Sequence, residues 1–284
     1  MTTLLPHAPT APVVNLDALP GIGLADLLEQ AALQTRVDRK YLVDADRLPE
    51  VIGSVDGDLR VLEIDRRREF GYRSTYFDSP HLDGFLRAGR GRRRRFKVRT
   101  RTYRESGETW LEVKTRGARG ETVKDRLPYE LADAGRLTAE GRDFVAGVVA
   151  QRGAGAVDVA ALAPVLHTSY RRATVLVTPR VPAHRGRPEP ERAEPASRVT
   201  IDTGLVWRRA GCQERLAFPA QAVVETKGGT RPSGFDHALW DAGIRPSRVS
   251  KYGVGLAALD DLPALKWHRI VNDYLSNPPE RNQP

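Results

Sequence analysis

Cationic side chains occupy alternate positions in the stretch RFKVRTRTYRESGETWLEVKTR, residues 95–116. The alternation pauses at Ser106 and Gly107, a pair that predicts a turn, and then resumes. In a β-strand, residues i and i+2 lie on one face, so each half of this stretch predicts a strand with a charged face. Such a face suits a polyanionic ligand. The alternating charged residues are Lys97, Arg99, Arg101, Glu112, Lys114 and Arg116.

Two further stretches carry basic residues on a predicted strand. GETVKDRLPYEL, residues 120–131, places Lys124 and Arg126 on one face, and VLHTSYRRATVLVT, residues 165–178, contains Arg171 and Arg172. A solvated face explains any one strand of this kind, but the recurrence favours a bound polyanion. Two like charges about 4 Å apart repel by roughly 4 kcal/mol at an effective dielectric near 20, so several such pairs need neutralisation.

A closed barrel with cations inside would enclose an anion and would also remove the edges of the sheet. Neighbouring strands lie close in sequence, which favours antiparallel pairing. We therefore predict an α+β fold, an eight-stranded antiparallel β-barrel with helices packed outside and at the C-terminus. The residues predicted to point into this barrel are Lys97, Arg99, Arg101, Glu112, Lys114, Lys124 and Arg126.

The order of elements follows from periodicity and from turn residues. Strands are predicted at 35–43, 72–79, 120–131, 165–178, 197–209 and 222–227, besides the two in 95–116, and helices at 21–33, 138–151 and 234–242. Residues 1–30 are predicted to form a partly disordered lead, 31–262 the tunnel domain and 263–284 a C-terminal helix and tail. The Pro-rich and charged segment 180–197 is predicted to be a solvated loop.

Composition restricts the class of partner. The chain has 284 residues, a net charge of +9 and a pI near 9.9, which favours anions. Cys212 is its single cysteine, which excludes an internal disulfide and predicts a reducing, cytoplasmic location. We expect no signal peptide and no membrane anchor, because long apolar runs are missing. Aromatic residues make up 7% and do not interleave with the basic ones in the sequence, so no nucleic acid partner is expected.

Nine short motifs, in this order, resemble the VTC domain, the polyphosphate polymerase domain within the CYTH-like triphosphate tunnel metalloenzymes. The resemblance covers about residues 35–255. The motifs are RKYLV (39–43), STYFDS (74–79), KVRTRTY (97–103), LEVKTR (111–116), VKDR (123–126), YRRA (170–173), RVTID (198–202), VVETK (223–227) and SKY (250–252).

The resemblance implies a basic tunnel in which the γ-phosphate of ATP is transferred to a growing polyphosphate chain. The implied ligands are ATP, inorganic polyphosphate, triphosphate or pyrophosphate, and the implied cofactor is Mn2+ (or Mg2+). Glu225 is the implied metal ligand. The implied catalytic cations are Lys40, Arg99, Arg101, Lys114, Lys124, Arg172, Lys227 and Lys251. Further phosphate-binding residues are expected at Lys97, Arg126, Tyr170, Arg248 and Ser250.

One departure bears on the reaction. The hydrolase and cyclase branches of the superfamily begin with two alternating glutamates followed by a lysine, but this chain has Arg36 and Asp38 before Lys40. Losing the first acid favours polyphosphate chemistry over the cyclase or thiamine-triphosphatase side. Two alternatives stay open: a hydrolase of triphosphate or short-chain polyphosphate, and a non-catalytic polyphosphate-binding protein.

Overall fold

The computed structural model describes residues 16–31, 37–117, 121–180, 195–218, 220–260 and 262–276. These residues belong to two compact units. The first unit draws on Met1–Phe70, Arg171–Leu205 and Phe218–Ser247, and the second on Gly71–Tyr170, Val206–Ala217 and Arg248–Pro284. Most of the loop predicted at 180–197, much of the N-terminal lead, the end of the tail and Arg36 lie outside the described residues.

Strands and helices alternate along the chain. The strands are β1 (Gly21–Ile22), β2 (Val37–Asp44), β3 (Asp58–Leu62), β4 (Glu69–Asp78), β5 (Phe96–Tyr103), β6 (Thr109–Arg116), β7 (Thr122–Tyr129), β8 (Ala163–Thr178), β9 (Ser197–Arg209), β10 (Arg215–Phe218) and β11 (Gln221–Gly228). The helices are α1 (Leu24–Gln30), α2 (Leu48–Gly53), α3 (Asp83–Gly89), α4 (Ala139–Gln151), α5 (Gly234–Asp241), α6 (Lys251–Leu259) and α7 (His268–Val271). No helix in these ranges is both long and apolar enough to cross a membrane.

In the first unit, β2, β11, β9 and the end of β8 lie side by side. The pairings of β11 with β2 and with β9 are antiparallel, β3 pairs antiparallel with β8, and β1 pairs parallel with β3. Alternation decides which face is buried: Tyr41, Val43 and Val224 pack in a core with α2 and α5. The residues between them, including Lys40 and Glu225, therefore lie on the other face.

In the second unit, β4, β5, β6 and β7 form an antiparallel ladder. Val98, Leu111 and Val113 point to one face and pack against Val145 and other apolar residues of α4. Helix α4 begins at a capping residue, Thr138, whose side chain accepts a hydrogen bond from the Gly141 amide at 3.1 Å. The charged residues of 95–116 are thereby directed to the face of the ladder opposite α4.

The predicted α+β fold with a mainly antiparallel sheet and helices packed on it is confirmed. In the described part of the chain the sheet has eleven strands rather than eight, because β1, β3 and β10 were not anticipated; they are too short to show a clear alternation. Hydrogen bonds between these strands do not close the sheet into a barrel. Within the described residues, β2 pairs only with β11 and β7 pairs only with β6.

Candidate functional site

Successive strands of the second unit bring its basic residues into cross-strand rows. The hairpin register sets Lys97 opposite Lys114, and Arg99 opposite Glu112. The pairing of β6 with β7 extends both rows, to Lys124 and to Arg126 respectively. Directly opposed residues share a face, so the parity predicted from the sequence holds across all three strands. We call this set the cationic rows: Lys97, Lys114, Lys124, Arg99, Arg126 and Arg101, with Glu112 among them.

Glu112 is the carboxylate that organises these rows. It is 1% exposed, and its Oε2 accepts hydrogen bonds from Nε and Nη2 of Arg99 at 2.8 and 2.6 Å. Lys124 Nζ lies 3.5 Å from Oε1, and Arg101 Nε lies 4.0 Å from Oε2. Burial opposes ionisation of Glu112, but the cations, Arg99 first, hold its pKa well below the usual range. Glu112 is therefore an anion that fixes Arg99 in place.

Aromatic rings support the cations of the second unit. A cation over a ring face is attracted by the ring quadrupole, which offsets part of the repulsion between neighbouring cations. Two ring pairs are stacked, Tyr72 on Tyr170 and Tyr76 on Tyr252. The cation-to-centroid distances are 5.5 Å for Lys97 over Tyr252, 5.7 Å for Arg99 over Tyr76, 5.5 Å for Arg101 over Tyr72, 4.6 Å for Lys251 over Tyr170 and 4.3 Å for Arg126 over Trp110.

These rings correct one premise of the sequence analysis, which found no aromatic residues among the basic ones. The rings come from neighbouring strands and from α6, so they interleave with the cations in space rather than in sequence. The pattern that reveals them is the parity of Tyr72, Ser74 and Tyr76 on β4, which face the same side as Arg99 and Arg101. Sequence reasoning missed Tyr72, Tyr76 and Tyr252 for this reason.

The N-terminus of α6 lies at the cationic rows. Ser250 caps this helix by accepting a hydrogen bond from the Gly253 amide at 3.1 Å, and Lys97 Nζ donates to the same hydroxyl at 3.2 Å. Tyr170, next to Lys251, accepts a hydrogen bond from Arg101 at 3.3 Å. The structure therefore brings these predicted phosphate ligands together with the rows. Arg248, also predicted, is exposed in the segment that precedes α6.

The first unit has its own charged face. Lys40 lies opposite Glu225 in the register of β2 and β11, and Lys227 Nζ lies 3.2 Å from Glu225 Oε1. The pKa of Lys227 is lowered to about 8, mainly by burial and also by the charge of Arg172, while the carboxylates of Glu225 and Asp38 act in the opposite direction. The protonated form of Lys227 is thus destabilised by its buried environment.

Arg172 is held by a buried acid. Its Nε and Nη2 donate to the two carboxylate oxygens of Asp202 at 2.5 and 2.8 Å. Asp202 is fully buried, so the bidentate pair fixes the direction of the guanidinium. The sequence analysis did not assign Asp202 to the site. Asp202 is the last residue of the motif RVTID, and the motif does not identify its partner, because that partner lies on another strand.

Three buried cationic atoms make no well-directed hydrogen bond among the described residues, and one of them, Arg39 Nη1, lies 3.8 Å from Asp236. The other two are on the charged faces: Arg101 Nε in the second unit, 4.0 Å from Glu112, and Lys227 Nζ in the first, 3.2 Å from Glu225. Buried polar groups are satisfied in the great majority of cases, and an unsatisfied donor points to a missing partner. A phosphate oxygen is an acceptor of the required charge. Both atoms belong to residues that the sequence analysis expected to bind phosphate.

The carboxylates among the described residues determine how a metal ion could bind. The described residues contain no group of three or more His, Cys, Asp or Glu side chains that could hold a metal ion. Mg2+ and similar ions need fewer protein ligands, one or two carboxylates, when substrate phosphates and water complete the shell. Glu225, close to Lys227, fits that role for a metal that arrives with a phosphate substrate. The donor set does not fit a metal cage built from protein ligands alone.

The chain belongs to the VTC domain family, whose model matches residues 35–260. Membership supports an activity on polyphosphate or triphosphate, and the family implies dependence on a divalent metal. No curated protein matches the chain significantly.

Solved structures show weak likeness to the chain. A proposed adenylate cyclase from Vibrio parahaemolyticus is 11% identical, with 76% of this chain and 95% of that chain covered and a TM-score of 0.41. A proposed adenylyl cyclase from Hippeastrum, described as having a dominant triphosphatase activity, is 13% identical, with 78% and 94% covered and a TM-score of 0.41. A conserved hypothetical protein from Pyrococcus furiosus is 11% identical, with 74% and 88% covered and a TM-score of 0.31. All three scores lie below 0.5, so the family match alone carries the assignment.

Proposed function

We propose that this chain is a metal-dependent polyphosphate polymerase that transfers the γ-phosphate of ATP to a growing polyphosphate chain. The observation that carries the proposal is that two buried cationic donors on charged sheet faces, Arg101 Nε and Lys227 Nζ, have ion-pair partners but no well-directed hydrogen bond among the described residues. Phosphate oxygens satisfy both donors and neutralise the cations around them. The family match supports the same class of ligand.

The proposed reaction needs positioning and charge neutralisation more than covalent catalysis. The bond between the γ-phosphorus and the oxygen bridging to the β-phosphate breaks, and a terminal oxygen of the acceptor chain bonds to that phosphorus. ADP leaves with the bridging oxygen, and the acceptor oxygen is already anionic, so no base is required. Glu225, together with phosphate oxygens of the substrate, would hold Mn2+ (or Mg2+), which would supply further charge neutralisation.

The cationic residues perform two tasks in this proposal. Arg99, fixed by Glu112, and Arg101, supported by Tyr72 and Tyr170, present guanidinium groups in set directions, which suits the bidentate binding of phosphate. Holding an acceptor chain beside the donor raises its effective concentration above that of competing water, which favours chain growth over hydrolysis. The remaining proposed phosphate ligands are Lys40, Lys97, Lys114, Lys124, Arg126, Tyr170, Arg172, Lys227, Arg248, Ser250 and Lys251.

The direct test is to incubate the purified chain with ATP and Mn2+ and to resolve the products. We expect ADP and a phosphate polymer, and we expect Arg101→Ala to slow polymer formation by about 100-fold, since the loss of one preorganised donor costs that much in other enzymes. Arg269→Ser, which removes an exposed cation on α7, is the matched control and is expected to leave the rate unchanged. If orthophosphate is the only phosphate product, the chain is a hydrolase rather than a polymerase. If ATP is not turned over, the chain is a binding protein.

The metal role of Glu225 has a separate test. Glu225→Gln removes one negative charge from a cationic face, so it is expected to abolish metal-dependent turnover while metal-free binding of triphosphate stays equal or tightens. Calorimetry with triphosphate, with and without Mn2+, measures both effects. Glu50→Gln, an exposed acid on α2, controls for the change in charge. Normal turnover by Glu225→Gln would remove Glu225 from the metal site.

A further inference from the structure

Arg95 and Arg116 continue the cationic rows beyond the residues assigned so far. The register of β5 and β6 pairs Phe96 with Thr115, so the next position outward sets Arg95 opposite Arg116. Arg116 in turn lies opposite Thr122 on β7. By parity both arginines share the face of Lys97 and Lys114, about 7 Å further along the strands.

Within the described residues, neither of the two arginines has a counterion. Both are half-buried, and Arg95 Nη1 donates to the backbone oxygen of Arg92 at 3.2 Å. Neither forms an ion pair with a carboxylate of the described chain. Burial, and then the charge of Arg116, lower the pKa of Arg95. Two opposed guanidinium groups without an acid between them are unfavourable unless an anion binds.

We propose that Arg95 and Arg116 form an outer arginine pair that binds a phosphate group of a polyphosphate chain, beyond the phosphates held at Lys97, Lys114 and Lys124. The inference rests on the proposed function only in taking polyphosphate as the ligand. A planar guanidinium binds two phosphate oxygens at once, so two opposed arginines suit one tetrahedral phosphate. The pair therefore selects for chain length: a long chain reaches it, and a short anion held at the inner lysines does not.

The test compares long-chain polyphosphate with triphosphate by calorimetry on the full chain at one salt concentration. R95S/R116S is expected to weaken binding of the long chain about tenfold and to leave triphosphate binding within about twofold. The slope of log affinity against log salt for the long chain is expected to fall by about two, one for each cation removed. R95K/R116K keeps the charges but not the planar groups, and is expected to recover part of the loss.

R73S/R269S is the matched control. It removes two exposed arginines of the same unit, and Arg73 lies on the opposite face of β4, across from Thr102. An equal loss in this control would show a general charge effect and overturn the site. An equal loss for triphosphate, or for a single-stranded oligodeoxynucleotide of similar charge, would overturn the selectivity for long polyphosphate. If either double variant fails to fold, the single variant R116S tests the same site, with about half the change in slope.

The polymerase and the outer pair can fail separately. If the wild type makes no polymer but binds long-chain polyphosphate in a way that depends on Arg95 and Arg116, the site stands and the polymerase is wrong. If polymer forms and the double variant binds the long chain normally, the site is wrong and the polymerase stands. Failure of the wild type to bind polyphosphate overturns both.

Discussion

The charge of Lys227 depends on pH slightly above neutrality. Its pKa of about 8, against an ordinary value of 10.5, means that it loses its proton as pH rises from 7 to 9. Phosphate binding favours the protonated form, so affinity for triphosphate is expected to fall by up to about tenfold over this interval. Lys227→Arg stays charged and is expected to lose much less affinity. Calorimetry at pH 7 and pH 9 on both proteins checks this, and equal losses would contradict it.

Deprotonation of Lys227 is expected to change stability in the opposite direction from affinity: raising the pH weakens triphosphate binding but stabilises the folded chain. Since the folded pKa lies below the unfolded one, the unfolded chain binds more protons between about pH 8 and 10.5. The contribution of Lys227 to the free energy of unfolding therefore increases as pH rises through that window. A cation that destabilises the ligand-free protein at neutral pH is consistent with a role in binding an anion.

Glu112 gives a second prediction at the residue level. Glu112→Gln leaves the buried guanidinium of Arg99 without its carboxylate, and breaking a buried ion pair on one side costs roughly 3 kcal/mol. Denaturant unfolding is expected to show that loss, and saturating triphosphate is expected to restore part of it by neutralising Arg99. Glu108→Gln, which changes an exposed acid at the turn end of the same hairpin and keeps an acceptor for the Trp110 indole, is the control and is expected to change stability little. No loss for Glu112→Gln would mean that the pair does not stabilise the fold.

The sequence predicts which residues share a face of one strand, but it does not predict which residues lie opposite each other on neighbouring strands. Alternation within 95–116 is enough to place Lys97 and Arg99 on one face of the first strand, and Glu112 and Lys114 on one face of the second. That Glu112 faces Arg99 follows only from the hairpin register, which depends on how the turn at Ser106 closes. Asp202 shows the same limit, because its partner Arg172 comes from a different strand.

Among the elements, α6 connects helix capping to phosphate binding. Ser250→Ala removes both the cap to Gly253 and the acceptor for Lys97, and is expected to cost about 1 kcal/mol of stability. Ser250→Asp restores a capping oxygen but adds a negative charge beside Lys97, so stability is expected to recover while triphosphate affinity falls. Thermal unfolding and calorimetry on the two variants separate the roles. If both variants lose affinity equally, the hydroxyl itself is what the anion needs.

Elements with a strong period were predictable from the sequence, and short ones were not. The predicted helix at 138–151 corresponds to α4, and the predicted strand at 165–178 corresponds to β8. β1 and β10 have too few residues for a period to show, and each is a strand only through its pairing with a neighbour, β3 and β9 respectively. Helix α3 was also missed: Asp78 accepts hydrogen bonds from the amides of Gly84 and Phe85 at its start, a contact that spans six or seven residues.

For the whole molecule, the net charge of +9 predicted an anionic partner, whereas closure of the sheet could not be derived from local patterns. Alternation determines which face of a strand is charged, but it says nothing about whether the two terminal strands of a sheet meet. The cationic rows are therefore the part of the site that sequence reasoning predicted. It did not predict that β2 and β7 remain unpaired with each other within the described residues.

Charge repulsion within the rows also predicts how the whole protein responds to anions. A ligand that binds the folded chain alone stabilises it by about 2.7 kcal/mol at a concentration 100 times its Kd, which corresponds to a rise in Tm of roughly 5–10 °C for a protein of this size. Triphosphate without metal is expected to produce this rise, because it neutralises cations that repel one another in the ligand-free state. Sodium chloride at the same ionic strength screens those cations without bridging them, so its effect is expected to be smaller. Differential scanning fluorimetry on the wild type and on Arg101→Ala measures both, and an equal rise with the two salts would mean that general screening, rather than a phosphate site, relieves the repulsion.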